Sequence, residues 1–170
     1  GFGWITGPPE YGGAGLPGRY ERAYQELERR YSVPSRSPLG VSLGMVLPTL
    51  QHFGTETAKR RWLRALRRAD VVGCQLFSEP GAGSDLASVS TKADRDPATG
   101  DWIVTGQKVW TSGAHYSDLG LLLARTSDGE RHRNLTAFLV DMHAPGVEVR
   151  PLRQMTGGAD FNEVFLDGVR

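Results

Sequence analysis

The chain has 170 residues, 39% hydrophobic and 23% charged, as expected of one largish or two small globular domains. Its 20 basic and 19 acidic side chains leave a net charge of +1, so the overall charge does not indicate a protein that binds nucleic acid or an anionic membrane. No apolar run approaches the roughly 20 residues of a membrane helix and no signal peptide is visible, so we expect a cytoplasmic protein without a membrane span.

The only cysteine, Cys74, excludes an intrachain disulfide. It lies within an apolar run, which is typical of a buried and inert thiol. The chain begins at Gly1 without a methionine and stops at Arg170 directly after a strand-like run, so we expect both ends to be cut.

Helix patterns follow an opening rich in glycine and proline. Residues 1–18 favour turns, and the glycines of residues 12–15 lack the preceding strand and the third glycine position of a dinucleotide fingerprint, so we expect a structural loop. In residues 19–31 apolar and aromatic side chains recur at helical spacing, which predicts an amphipathic helix whose stripe faces the core. The stripe consists of Tyr20, Tyr24, Leu27 and Tyr31.

Two further helices are predicted before residue 71. Residues 39–53 are apolar nearly all round, which predicts a buried helix that Pro48 interrupts and restarts. Thr55 is placed to cap the next helix, and Glu56 complements its dipole. We expect its arginines to form a solvated face rather than a binding patch. Its expected inward residues are Ala58, Trp62, Ala65, Leu66 and Ala69.

The periodicity changes at Val71. Short extended runs separated by turns, without helical patterns between them, predict an antiparallel β-barrel or sandwich. The runs cover 71–77, 88–93, 102–110, 119–125, 135–142, 147–152 and 163–166, and the turn signals include Ser127-Asp128-Gly129-Glu130. We therefore expect an α+β chain, with a partial N-terminal α-helical domain over residues 1–71 and a β-domain over residues 72–170.

Two clusters in the β-part are candidates for a ligand site. The first is Phe77-Ser78-Glu79-Pro80-Gly81-Ala82-Gly83-Ser84-Asp85, and the second is Gly106-Gln107-Lys108-Val109-Trp110-Thr111-Ser112. The small residues of the first leave backbone amides accessible to a ligand. Trp110 can pack against one face of a flat heterocycle, while the hydroxyls of Ser78 and Ser112 bind its polar edge. Taken singly, a strand tryptophan followed by two hydroxyl residues is more typical of a core position and a turn.

Other kinds of site find less support. The four histidines have no Cys or His partners at metal-ligand spacing, so no metal site is predicted. Ser84-Asp85 lacks the nucleophile elbow of a hydrolase, and Gly81-x-Gly83 lacks the lysine of a phosphate loop. Glu79 is compatible with a general base and equally with a carboxylate that fixes the turn, and we assign it no catalytic role.

Together, the two clusters resemble those of the acyl-CoA dehydrogenase family of flavoproteins. The similarity extends in the same order over residues 10–15, 48–50, 53–56 and 161–167, and so covers essentially the whole chain. It implies an N-terminal α-helical domain followed by a β-domain that carries FAD. It also implies α,β-dehydrogenation of an acyl-CoA thioester, with electrons passing to a separate electron-transfer flavoprotein.

The resemblance implies roles for individual residues. Gln75 to Ser78 are similar to the strand that meets the pyrimidine edge of the flavin, Trp110 to the residue on the flavin face away from the substrate, and Ser112 to the residue near N5. Ser84 is similar to the hydroxyl residue beside the acyl-CoA thioester. Ser78 and Ser112 stand where threonine is common in the family. The expected cofactor-binding residues are Gln75, Leu76, Phe77, Ser78, Trp110, Thr111 and Ser112.

The resemblance also implies that part of the active site lies elsewhere. The family's catalytic glutamate and its oligomer interface belong to a C-terminal helical domain that would follow Arg170, so no catalytic residue is assigned here and a homo-oligomer is expected only of the complete protein. Two alternatives stay open. Acyl-CoA oxidases and flavin monooxygenases use the same scaffold with oxygen, and the chain by itself can be a truncated scaffold that binds without catalysing. The acyl chain type is not readable from these residues.

Overall fold

Helices come first and strands afterwards in the computed structural model, which describes residues 2–129 and 131–170. Glu130, in one of the predicted turns, lies outside the described residues. The chain divides into two compact units, Gly1–Val71 and Val72–Arg170. The predicted fold class, a helical part followed by a β-domain, is confirmed.

The first helix of the opening unit, α1 (Gly18–Glu28), is amphipathic but has no buried residue. Tyr20 and Leu27 are 46% and 53% exposed, and Tyr31, beyond the end of the helix, is 74% exposed. The predicted core position of this stripe is therefore wrong within the described residues. Periodicity reports which face of a helix is apolar, and it does not report whether another element covers that face.

Helix α2 (Leu47–Phe53) continues a π-helical segment, Ser42–Val46, instead of starting after a break. The N–H of Leu47 donates to the carbonyl of Ser42, five residues back, and this wider turn precedes Pro48, which has no N–H to donate. The predicted interruption is thus a change of helix type. Phe53 is 84% exposed, so the predicted burial on all sides is also wrong.

Helix α3 (Glu56–Arg68) begins at the predicted cap, where the side chain of Thr55 accepts a hydrogen bond from the N–H of Ala58 at 3.3 Å. Leu63 and Leu66 are its buried residues. The expected inward position of Ala69 is wrong, because Ala69 ends the helix in the left-handed conformation and is exposed.

Seven strands form one sheet in the described part of the second unit. They are β1 (Gly73–Leu76), β2 (Lys92–Arg95), β3 (Trp102–Ser112), β4 (Leu119–Arg125), β5 (Leu135–Asp141), β6 (Val147–Leu152) and β7 (Phe161–Val169). Their order is β1-β4-β2-β3-β7-β6, with β5 paired to β4. Strand β3 is the longest and pairs with both β2 and β7.

The sheet contains both parallel and antiparallel pairs, whereas an antiparallel sheet was predicted. Strand β1 runs parallel to β4, from Gly73 opposite Leu119 to Leu76 opposite Leu122. The start of β2 touches the same edge of β4 at Arg125, so β1 and β2 lie one after the other along it. Because β2 and β3 intervene in the chain, β1 and β4 are not joined by a tight hairpin, and the long connection permits the parallel pairing.

The core of this unit consists of side chains from all parts of the sheet, among them Leu76, Leu122 and Val164. Cys74 belongs to it, and burial raises the pKa of its thiol to about 12. Such a thiol stays protonated and unreactive at neutral pH. Within residues 2–129 and 131–170, no helix combines the length and apolar character needed to cross a membrane.

Candidate functional site

The two predicted clusters meet where β1 ends and β3 passes it. The N–H of Val109 donates to the carbonyl of Ser78 at 2.9 Å. The ammonium of Lys108 donates to the carbonyl of Phe77 at 3.0 Å. Segments that are about thirty residues apart in sequence are therefore hydrogen-bonded neighbours.

Trp110 occupies a β-bulge. Lys108 lies opposite Val164 and Thr111 lies opposite Asn162, so β3 has one extra residue between these pairs. Trp110 takes a φ of 60°, a left-handed conformation that is costly for a residue with a Cβ. The bulge leaves its side chain 61% exposed, with the ring edge-on to the ring of Phe161 at 6.2 Å.

Behind Trp110 the chain is held by a buried amide. Asn162, with no exposed surface, donates from Nδ2 to the carbonyl of Thr111 at 2.9 Å, and its Oδ1 lies 3.2 Å from Nδ1 of His115. The side chain of Thr111 is buried, and its hydroxyl has no hydrogen-bond partner among the described residues. Ser112, the next residue, is exposed.

Beneath the site lies a buried ion pair between Lys108 and Glu79. Their Nζ and Oε1 atoms are 2.8 Å apart, and the two side chains are 0% and 3% exposed. The carboxylate also accepts hydrogen bonds from the N–H and hydroxyl of Ser90, at 2.6 and 2.7 Å, and from the N–H of Thr91 at 3.0 Å. All of these donors belong to the protein, so Glu79 is fully engaged within the fold.

The same contacts decide the charge state of the pair. Burial by itself raises the pKa of Glu79, but the hydrogen bonds from Lys108, Thr91 and Ser90 outweigh it and hold that pKa at about 2. Burial lowers the pKa of Lys108 from its usual value, and the contact with Glu79 opposes that change. Of the two interpretations of Glu79 that the sequence allows, the geometry supports the residue that fixes the turn.

The turn itself is tight and leads into an open loop. Glu79 and Ala82 exchange backbone hydrogen bonds of 2.8 and 3.1 Å. Gly81, Gly83 and Ser84 are exposed, and a Cβ added to either glycine would meet no atom within 4 Å. Neither glycine has a positive φ, so the backbone conformation does not require them. Because they have no side chains, they leave the loop open to approach from outside.

The predicted cofactor-binding residues differ in what they present to solvent. Leu76 and Thr111 point their side chains into the core, so only their main chain can contact a ligand. Gln75 and Ser78 are half-buried. Strand β1 pairs with β4 on one side, and no strand in the described part of the chain pairs with its other edge. A strand edge that no other strand covers can present backbone donors and acceptors to a ligand.

Sequence reasoning missed the ion pair and Asn162. The sequence did contain an indication of the ion pair. Lys108 lies an even number of residues after Val104 in β3, so the alternation of the strand places both side chains on the buried face, where a charge needs a partner. The identity of that partner, 29 residues away, was not readable. Within residues 2–129 and 131–170, no group of three or more His, Cys, Asp or Glu side chains is placed to hold a metal ion.

Two family models match nearly all of the chain. The N-terminal domain of acyl-CoA dehydrogenases matches residues 1–70, and their middle domain matches residues 74–169. The chain belongs to the acyl-CoA dehydrogenase family. The boundary between the two matches falls where helices give way to strands.

Curated relatives agree with this assignment. The acyl-CoA dehydrogenase IpdE1 of Mycobacterium tuberculosis is 47% identical over 172 residues, which are 99% of this chain and 43% of the relative. The acyl-CoA dehydrogenase FadE34 of the same organism is 56% identical over 123 residues, 72% of this chain and 17% of the relative. The chain therefore spans less than half the length of these relatives.

Solved structures show the same likeness. A variant of the Tcur3481-Tcur3483 steroid ACAD superimposes with a TM-score of 0.81 at 32% identity, over 99% of this chain and 43% of that one. The ChsE4-ChsE5 complex of Mycobacterium tuberculosis gives a TM-score of 0.80 at 32% identity, over 99% and 42%. A glutaryl-CoA dehydrogenase of Mycobacterium smegmatis in complex with FADH2 gives 0.69 at 31% identity, over 79% and 34%.

The residues present suit the flavin that the family uses. A flat ring needs an aromatic surface, and the bulge exposes that of Trp110. Its polar edge needs donors and acceptors, and the candidates for that role are the main chain at the end of β1 and the hydroxyls of Ser78 and Ser112. These features fit a flat ring with a polar edge such as a flavin.

Proposed function

We propose that the β-domain, residues 72–170, holds FAD and that the complete protein catalyses α,β-dehydrogenation of an acyl-CoA thioester. The observation that carries this is the junction of β1 and β3, where the hydrogen bond from Val109 to Ser78 brings a strand edge beside the exposed ring of Trp110. Family membership supports the reaction class.

The residues of this chain bind and orient. In this proposal Trp110 covers one face of the flavin, and the main chain from Gln75 to Ser78 hydrogen-bonds its pyrimidine edge, with Ser112 close to N5. Bound FAD supplies the acceptor for the hydride that leaves Cβ of the substrate. Ser84, exposed in the loop after the turn, contacts the acyl-CoA thioester.

The base that removes the α-proton is a separate matter. Glu79 is the carboxylate next to the junction, but it is buried, ion-paired and held at a pKa of about 2. It cannot accept a proton from a substrate. We propose that the base and the surfaces for a homo-oligomer and for an acceptor flavoprotein lie in regions of the complete protein that this chain does not cover.

An absorbance spectrum of the purified protein tests flavin binding. Oxidised flavin absorbs in the visible, and anaerobic addition of substrate should bleach that band. The substrates to compare are straight-chain thioesters from butyryl-CoA to palmitoyl-CoA and a steroid-derived CoA thioester, since one structural neighbour is a steroid ACAD.

Three results would contradict the proposal in different ways. If the purified protein contained no flavin, the proposal that it binds FAD would be contradicted. Bleaching that is restored by oxygen, with oxygen consumption and no need for a protein acceptor, would favour an oxidase or a monooxygenase. Bound flavin that no thioester bleaches, even in the complete protein, would favour a scaffold that binds without catalysing.

A further inference from the structure

The ion pair of Lys108 and Glu79 touches both halves of the candidate site. Lys108 lies on β3, two residues before Trp110. Its ammonium donates to Glu79 and also to the carbonyl of Phe77, at 2.8 and 3.0 Å. One side chain therefore links the strand that presents the aromatic ring to the main chain that presents the polar edge.

Glu79 extends this link to a third segment. Its oxygens accept from the N–H groups of Ser90 and Thr91, directly before β2. The turn that starts at Glu79 leads to Ser84. Movement of this carboxylate would displace the end of β1, the turn and the start of β2 together.

Stability alone does not account for such a pair. Removing two charges from water costs several kcal/mol per ion, and well-packed apolar residues of the same volume often stabilise a fold equally well. Directional hydrogen bonds do what apolar contacts do not, because they fix the position of particular carbonyl and amide groups. The carbonyl fixed here belongs to a segment predicted to contact the flavin.

We propose that Lys108 and Glu79 are a positioning pair, which holds the main chain of Phe77 and Ser78 in register with Trp110 so that one flavin meets both. The inference rests on the proposed flavin binding. It assigns no chemical step to either side chain. It gives a role in cofactor binding to two residues that are closed off from solvent.

The test is a neutral double variant, Glu79→Gln with Lys108→Met, in the flavin-loaded protein. The amide oxygen of the introduced glutamine can still accept both hydrogen bonds from Ser90, but its NH2 group cannot accept from the N–H of Thr91. The introduced thioether fills the volume of the lysine stem and no charge is left buried, so the fold should survive with a lowered thermal midpoint. The carbonyl of Phe77 loses its donor. We expect the Kd for FAD to rise roughly tenfold, the equivalent of one net hydrogen bond, and the visible flavin spectrum to shift.

Two further variants make the result decisive. Leu166→Ala opens a cavity in the core of the same sheet, and it should lower the thermal midpoint while leaving the Kd for FAD unchanged. Glu79→Asp keeps both charges but draws the carboxylate back by one methylene, and it should raise the Kd in the same direction as the double variant. Glu79→Asp therefore tests the inference if the double variant does not fold.

The outcomes separate the inference from the proposed function. If the double variant, or Glu79→Asp in its place, binds FAD with the wild-type Kd and spectrum, the pair only stabilises the fold and the inference is overturned. If Leu166→Ala raised the Kd for FAD as much as the double variant does, the inference would also be overturned, because any destabilisation of the sheet would then weaken FAD binding. Wild-type protein that binds no flavin would overturn the proposed function and the inference with it.

Discussion

The side-chain amide of Asn162 on β7 donates to the carbonyl of Thr111 on β3 over 2.9 Å, and both side chains are buried. This contact holds the strand immediately after the bulge that turns Trp110 to solvent. The chain thus supports an exposed aromatic ring through a hydrogen bond to the next residue of the strand.

Asn162→Ala should lower the free energy of unfolding by about 1–3 kcal/mol, because the carbonyl of Thr111 loses its donor in a buried position. It should also weaken FAD binding, since the bulge is no longer held. Urea denaturation and flavin titration measure the two effects. Gln107→Ala is the matched control on the same strand pair: it removes a half-buried side-chain hydrogen bond to Glu163 and should leave FAD binding unchanged.

Trp110→Ala and Ser112→Ala should each weaken FAD retention, measured as flavin absorbance per protein after gel filtration. Neither should cost much stability, because Trp110 is 61% exposed and Ser112 is exposed, and surface substitutions change stability little. Trp110→Gly should be more stable than Trp110→Ala, because glycine accepts the φ of 60° without strain. Unchanged flavin content in both Trp110→Ala and Ser112→Ala would refute the placement.

Acid should remove the stabilisation that Glu79 provides. Its pKa is about 2 in the folded chain against 4.5 for an ordinary glutamate, which corresponds to about 3 kcal/mol. Since the folded pKa is the lower one, the contribution is complete above about pH 4.5 and is lost as the pH falls towards 2.

Comparison with Glu79→Gln isolates that contribution. At pH 7 the variant should be less stable than wild type by about 3–5 kcal/mol, because an unpaired ammonium is left buried. The difference should shrink as the pH falls from 4.5 towards 2. Chemical denaturation at several pH values measures it, and a difference that stays constant over this range would show that the charge of Glu79 contributes nothing.

Substitution of glycine by alanine should affect stability in one cluster and not in the other. A Cβ on Gly106 would lie 2.3 Å from the hydroxyl and 2.7 Å from Cα of Thr91, so Gly106→Ala should destabilise the fold by about 1–3 kcal/mol. Gly81→Ala and Gly83→Ala meet no atom and should leave the thermal midpoint unchanged. If the loop faces an acyl-CoA, these two variants should raise KM, and wild-type KM in both would argue against that placement.

Much of this protein was determined by local sequence. Turn residues and periodicity located the change from helices to strands, and the runs at 119–125 and 147–152 match β4 and β6 residue for residue. Thr55 was identified as a cap because its hydrogen bond spans only three residues. The resemblance to the family could be recognised from the two clusters because the residues of each cluster are contiguous in the chain.

Tertiary structure alone decided the contacts between distant segments. Period-two alternation places Trp110 on the same side as the buried Lys108, and only the bulge against β7 turns it to solvent. The pairing of Lys108 with Glu79, the parallel alignment of β1 with β4 and the exposure of the α1 stripe likewise depend on which segments meet. Periodicity describes one segment at a time, whereas these features arise from the packing of two.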